Sequence, residues 1–332
     1  TIGGTSTGGA TEDTSDAAGT LTISDTDTGQ ATFTAVSSAA NSVSGYGTYT
    51  ITDAGVWAYT LTDSNSAVQA LALAATMSDT FVVTSSDAGT SQTVTITITG
   101  INDAATFGGA ITGGATEDTS DAAGTATVAD TDTGQATFTA VSSAANSIGG
   151  YGTYTITTGG VWAYTLDDSD AAVQALALAA TMSDTFSVTS SDGTAQTITI
   201  TITGINDAAT IGGTSTGGAT EDTSDGSGTL TVADTDTNEA TFTAVSTETA
   251  SVSGYGTYTI TSGGVWAYTL TDSNSAVQAL AAAATMSDTF SVTSSDGTAQ
   301  TITITITGIN DAATFGGAIT GGATEDTSDA SG

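Results

Sequence analysis

The sequence predicts an all-β protein, a tandem array of antiparallel β-sandwiches with one short crossover helix each. Three observations predict it. TEDTSD begins at Thr11, Thr116, Thr220 and Thr324, and the spacing of about 104 residues is that of a small domain rather than of a solenoid unit. Within each interval Thr, Val, Ile, Tyr, Phe and Trp recur in runs that alternate with period two. Short turns containing Gly and Asp separate the runs. The spacing divides the chain into repeats at 1–104, 105–208 and 209–312, with 313–332 opening a fourth, incomplete one.

The first repeat sets the pattern. Leu21 to Ser24 reads as a short strand, followed by the acidic turn Asp25-Thr26-Asp27-Thr28-Gly29. Ala31 to Ser37 reads as a second strand. Tyr46 to Thr52 and Val56 to Thr62 flank Asp53-Ala54-Gly55, a hairpin signal. Alternation places Trp57, Tyr59 and Leu61 on one face and Tyr49 and Ile51 on the facing strand; with Phe33, Phe81 and Val83 they form the expected core. Trp and Tyr also stack on sugars, but their alternation here fits a core. Ala67 to Ala75 breaks the period, and Val68, Leu71 and Ala75 suit one or two helical turns. A last hairpin crosses Asp87-Ala88-Gly89, shortened to Asp192-Gly193 and Asp296-Gly297 in the later repeats. About seven strands per repeat match a β-sandwich.

Composition narrows the function. Lys, Arg and His are absent, Asp and Glu number 35, and the formal net charge is −35. No side-chain ion pair can form, so neutralising cations must come from solution. Such a surface repels phosphates, so neither nucleic acid nor anionic lipid is an expected direct partner. Cys, Lys and Pro are absent, which removes disulfides, isopeptide staples and one route to rigid linkers. No apolar run reaches 18 residues, so no membrane-spanning helix is expected. Trypsin-like proteases find no cleavage site, which suits an exposed extracellular protein. No signal peptide is visible, and the opening TIGGTSTGGATEDTSD recurs from Thr210 to Asp225, so the sequence reads as a window onto a longer array.

Carboxylates recur at three places per repeat. They are Glu12, Asp25-x-Asp27 and Asn102-Asp103; Glu117, Asp130-x-Asp132 and Asn206-Asp207; Glu221, Asp234-x-Asp236 and Asn310-Asp311. Two unit charges 4 Å apart repel by roughly 4 kcal/mol at an effective dielectric of 20, and no basic residue relieves this. Ca²⁺ takes six to eight oxygen ligands in flexible geometry, whereas Mg²⁺ demands a tight octahedron and Zn²⁺ favours His or Cys. Ca²⁺ is therefore the expected cofactor. The alternative is a solvated turn Asp, whose side chain mimics a backbone turn; it accounts for Asp16, Asp53, Asp63 and Asp79 and stays open for the D-x-D turns. Paired carboxylates alone, with no other charged base, electrophile or oxyanion donor, make an enzyme the weakest reading.

Tyr46 to Thr52, Gly55 to Leu61, Val68 to Leu71, Asp184 to Gly193 and Val94 to Ala104 together resemble the VCBS repeat family. The resemblance spans each of the three repeats. It implies tandem Ig-like or cadherin-like sandwiches outside the cell, in giant bacterial surface proteins such as RTX-type adhesins and biofilm proteins. More loosely, the acidic motifs resemble the calcium linkers of cadherins. That likeness implies a first junction of Glu12, Asn102, Asp103, Asp130 and Asp132, joined by Asp192. It implies a second of Glu117, Asn206, Asp207, Asp234, Asp236 and Asp296. Gly100, Gly204 and Gly308 replace the first Asp of the cadherin D-x-N-D linker, and Ala or Thr replaces the Pro that follows it, which favours one or two ions per junction.

The expected function is structural: a calcium-stiffened stalk of a bacterial surface protein, its partners the neighbouring repeats of the same chain. The alternative is a protomer that assembles with identical chains into an extracellular filament, sheath or surface layer through exposed strand edges. Direct carbohydrate binding by the repeats is a third, weaker reading.

Overall fold

Eight strands and one helical turn, in two stacked sheets, make up the first repeat of the computed structural model, which describes residues 1–317, 320, 321 and 325. The strands are β1 (Ile2–Gly4), β2 (Thr7–Thr11), β3 (Ala17–Ile23), β4 (Val36–Asn41), β5 (Gly47–Ile51), β6 (Val56–Leu61), β7 (Thr76–Thr84) and β8 (Ser91–Thr99); α1 (Ser66–Gln69) lies between β6 and β7. One sheet runs β1-β3-β6-β5-β4 and the other β2-β8-β7. All pairings are antiparallel except β2 with β8, which run parallel. The same two sheets recur from residue 106 to 203 and from residue 210 to 307. The chain divides into two compact units, Thr1–Val173 with Thr181–Thr203, and Gln174–Ala180 with Gly204–Gly332. The expected fourth repeat at 313–332 falls largely outside the described residues.

The parallel pair has a local cause. The opening segment was not expected to form strands, yet it contributes one to each sheet. Gly4 has φ +87°, and a Cβ there would meet the Thr20 carbonyl oxygen at 2.6 Å. Only glycine takes this turn without strain. It carries the chain from the β1 edge across to β8, splitting one strand into two.

Alternation decides the core as expected. Along β6, Trp57, Tyr59 and Leu61 point inward and Val56, Ala58 and Thr60 outward. Phe81 meets Trp57 edge-on at 5.7 Å and stacks on the half-buried Tyr49 at 4.3 Å. The Trp57 indole lies over Gly8 and Gly19 and donates Nε1–H to the Thr5 carbonyl at 2.9 Å. Burying each such aromatic stabilises by roughly 1.5–3 kcal/mol. Trp162 and Trp266 repeat the arrangement, so the tryptophans are core residues with no face left for sugars.

Two strand boundaries differ from expectation, and the crossover helix takes the shorter of its expected lengths. The strand expected at Ala31 to Ser37 begins only at Val36, because Phe33 drops into the core on a single bridge to Ser85 and donates its N–H to the Asp53 carbonyl. β3 starts at Ala17, four residues before the expected Leu21. The crossover helix is one turn, capped by the Asn65 carboxamide, which accepts from Ala67 N–H at 2.9 Å. In the third repeat that segment is hydrogen-bonded turn rather than helix.

Candidate metal centre at the acidic loops

β2 ends by delivering Glu12 into the interior. The Glu12 backbone N–H donates to Thr99, the last residue of β8, and its side chain is fully buried. One carboxylate oxygen accepts from Gln69 Nε2 at 3.0 Å and the other from the Ile101 N–H at 3.1 Å. Burial pushes the Glu12 carboxyl above its usual range; the Ile101 N–H pulls it down, and the neighbouring Asp103, Asp13 and Asp132 charges add to the upward push.

Asn102 and Asp103 follow, and the Asp130-x-Asp132 loop folds back onto them. Within the loop the Asp132 N–H donates to Asp130 Oδ1 at 2.9 Å, the side-chain turn typical of Asp. Asp132 Oδ2 accepts from the Asp103 N–H at 3.1 Å and from Gln135 Nε2 at 3.2 Å. The Thr133 N–H donates to the Ala70 carbonyl beside α1. Asp192, from the turn after residue 189, closes the group: its Oδ2 accepts from the Ala105 N–H at 3.2 Å and Asn102 Nδ2 at 3.3 Å. The first unit thus brings Asn102, Asp103, Asp130, Asp132 and Asp192 into one hydrogen-bonded group, with Glu12 near enough to feel Asp103 and Asp132.

The electrostatics of this group are unbalanced. Asp132 is 2% exposed, yet its Oδ1 and the Oδ2 of Asp130 are buried with no hydrogen-bond partner. Burial pushes Asp132 up, the Asp103 N–H opposes this, and the charges of Asp130, Asp103 and Asp192 push it further. Asp192 goes the other way. Burial disfavours its ionised form, but donors from Ser190, Thr194 and Ala105 outweigh that and hold it well below the usual carboxylate range. The group combines hard oxygen donors, unpaired carboxylate lone pairs and no counter-charge, the donor set a hard divalent cation takes.

The second unit repeats the motif. Asp236 Oδ2 accepts from the Asp207 N–H at 2.9 Å, Asp234 Oδ1 from the Asp236 N–H at 2.9 Å, and Asp296 Oδ2 from the Ala209 N–H at 2.9 Å. Asn206 Nδ2 donates to the Asp207 carbonyl, as Asn102 does to Asp103. Glu117 and Glu221 are buried like Glu12, and Glu221 Oε2 accepts from the Ile309 N–H at 3.0 Å. Other expected ligands are not gathered. Asp25 and Asp27 keep the loop turn, at 2.9 Å, but Asp27 is exposed and meets no Asn-Asp segment among the described residues. Asn310 and Asp311 are exposed, with no D-x-D loop against them among the described residues.

Two features escaped the sequence reading. Glu239 stands where the first two repeats have Gln30 and Gln135, and it lies within 4.8 Å of Asp234 and Asp236; the N-E that replaces G-Q after D-T-D-T was the available signal. Asp79, expected as a solvated turn residue, is instead fully buried on β7. It accepts from Ser42 Oγ, Tyr59 OH, Ser44 N–H and Thr80 N–H. Its place in the i, i+2 line with Phe81 and Val83 was the signal.

The sequence matches the bacterial cadherin-like domain over residues 102–204 and 206–308. No curated protein sequence matches the chain. Among solved structures, a protocadherin gammaB7 EC3-6 cis-dimer is similar at 13% identity and TM-score 0.48, covering 91% of this chain and 71% of that one. The protocadherin gammaB4 extracellular domain gives 12% and 0.45, covering 91% and 48%. Drosophila N-cadherin EC1-4 gives 13% and 0.35, covering 92% and 73%.

Proposed function

Because the chain belongs to the family of bacterial cadherin-like domains, we propose that it is a non-enzymatic extracellular segment of a large bacterial surface adhesin or biofilm protein, in which Ca²⁺ stiffens successive β-sandwich repeats into a stalk. On this reading the repeats are 1–104, 105–208 and 209–312; the two family matches, at 102–204 and 206–308, support the second and third. One observation carries the reading: Asp132 is 2% exposed with an unpartnered Oδ1, beside Asp103, Asp130 and Asp192, in a chain with no basic side chain.

The residues fit a hard cation. Asp130 Oδ2 and Asp132 Oδ1 are the two lone-pair sources left over after internal hydrogen bonding, and Asp103, Asp192 and Glu12 are the neighbouring carboxylates. Bound Ca²⁺ would supply positive charge and several oxygen contacts at once, joining side chains that otherwise repel. Asp130 and Asp132 come from one repeat and Asn102 and Asp103 from the segment that precedes it, so neutralising the group removes a force that would push the two apart. Asp192 serves as an ionised anchor, held charged by Ser190 and Thr194.

Calcium titration of the chelator-stripped full chain tests this. The expected result is a higher melting temperature and a longer particle by small-angle scattering in Ca²⁺ than in EDTA. Identical melting and scattering in the two conditions would overturn it.

A further inference from the structure

The two acidic loops are not chemically equal, and the difference lies at one residue. In the first unit Gln135 donates Nε2 to Asp132 Oδ2, which uses one lone pair of the carboxylate. In the third repeat Glu239 takes that place, with a carboxyl group where Gln135 has its N–H₂ donor. Its backbone is fixed by Ser295 Oγ and the Thr241 N–H, which donate to its carbonyl, and by its own N–H to the Asp236 carbonyl at 3.3 Å. Asn238, at φ +69°, keeps the loop path that Gly134 follows at +82°. The Glu239 carboxylate is thereby held within 4.8 Å of Asp234 and Asp236.

Asp234 Oδ2, Asp236 Oδ1 and Glu239 Oε2 are all buried without a hydrogen-bond partner, and Asp236 is only 2% exposed. A fourth carboxylate, Asp296, adds to the field at Glu239. Where the first loop replaces one repulsion with an amide hydrogen bond, this loop adds a charge and removes the bond. A close carboxylate trio with three unpartnered buried oxygens is disfavoured without a cation and becomes a stronger ligand set with one.

We propose that Asp234, Asp236 and Glu239 form a divalent-cation site tighter than the one at Asp130 and Asp132, so that the two loops fill at different cation concentrations. This rests on the cation reading of the acidic loops given above. Ligand charge count is a main determinant of calcium affinity, and the additional carboxylate is expected to be worth about tenfold.

Calorimetric titration of the chelator-stripped full chain with CaCl₂ tests the assignment. Wild type should show a class of sites about tenfold tighter than the rest. Glu239→Gln should abolish that class while leaving the weaker uptake intact; Gln stands at the same position in the other two repeats, so the loop folds with it. Gln135→Glu should create a second tight class. A Glu239→Gln isotherm that overlays wild type overturns the inference and leaves the calcium stalk standing. No calcium uptake by wild type overturns both.

Discussion

The Tyr59 hydroxyl donates to the buried Asp79 carboxylate at 2.8 Å, and the pairs Tyr164–Asp184 and Tyr268–Asp288 repeat it at 2.7 and 2.8 Å. Each joins the five-stranded sheet to the three-stranded one through a charge placed inside the sandwich. Burial works against an ionised Asp79, but Ser42, Ser44, Tyr59 and Thr80 outweigh it and hold its carboxyl below the usual range. The same burial, with the Asp79 charge opposite, pushes the Tyr59 phenol far up, so it stays a donor. The charge inside each sandwich is thus held by hydroxyl and amide donors alone.

Tyr59→Phe removes one of these donors and leaves the rest of the ring in place. It is expected to cost the first repeat about 1–3 kcal/mol, the range for losing a hydrogen bond to a buried charge. Calorimetry of the full chain should show one earlier transition, with the other repeats melting as in wild type. An unchanged trace would mean that Asp79 is satisfied without the phenol.

How much of this was legible in the sequence depends on the residue. Trp57, Tyr59 and Leu61 announced the core face because period-two alternation leaves no other arrangement of β6. Asp103, Asp130, Asp132 and Asp192 were identifiable as a set because of the family likeness; composition added only that no basic residue could neutralise them. Asp79 was misread because Asp is common in turns, while its strand phase with Phe81 pointed inward. The crossing at Gly4 was invisible because a positive φ is decided by the Thr20 backbone lying against it, a contact distant in sequence. Glu239 is not legible as a ligand from spacing alone, because Gln30 and Gln135 hold the same position and only the folded loop brings its carboxylate within 4.8 Å of Asp234 and Asp236.

The indole resting on glycine gives a second test. A Cβ on Gly19 would come within 2.4 Å of the Trp57 ring, and one on Gly8 within 2.8 Å of it, so the buried indole has the backbone of both β2 and β3 close against it. Gly19→Ala should therefore destabilise the first repeat by about 1–3 kcal/mol through overpacking. Gly9→Ala, on β2 of the facing sheet, where a Cβ would meet nothing nearer than the Thr97 carbonyl oxygen at 4.0 Å, is the control and should melt within about 0.5 kcal/mol of wild type.

The pH dependence should differ with and without calcium. Asp79 and Asp288 have lowered folded-state values, so their contribution is full above the unfolded carboxylate pKa of about 4 and is lost as pH falls through the folded values. Glu12, Asp132 and Glu239 are raised, so theirs is full below about pH 4 and is lost as pH rises through the folded values. In chelator, melting temperature should therefore rise as pH drops from neutral towards about 5, then fall below about 4. Saturating Ca²⁺ favours the ionised carboxylates and should abolish the first rise. A chelated protein that only gains stability from pH 5 to 7 would contradict the raised carboxyls.

Asp132→Asn separates the cost of the acidic loop from its use. Asp132 Oδ2 already accepts two donors, while Oδ1 is buried and unpartnered, as is the Oδ2 of Asp130, whose charge Asp132 feels. An amide nitrogen in the Oδ1 position supplies a donor to Asp130 and removes one negative charge. In EDTA the variant is expected to be more stable than wild type by about 1 kcal/mol, the net worth of one added hydrogen bond. In Ca²⁺ the order should reverse, because a tenfold loss of affinity removes about 1.4 kcal/mol of the calcium-linked stabilisation and the repaired repulsion no longer counts. Paired melts in the two buffers read the crossing directly. A variant weaker than wild type in both would make Asp132 a plain structural acceptor, and one stronger in both would leave its charge without a purpose.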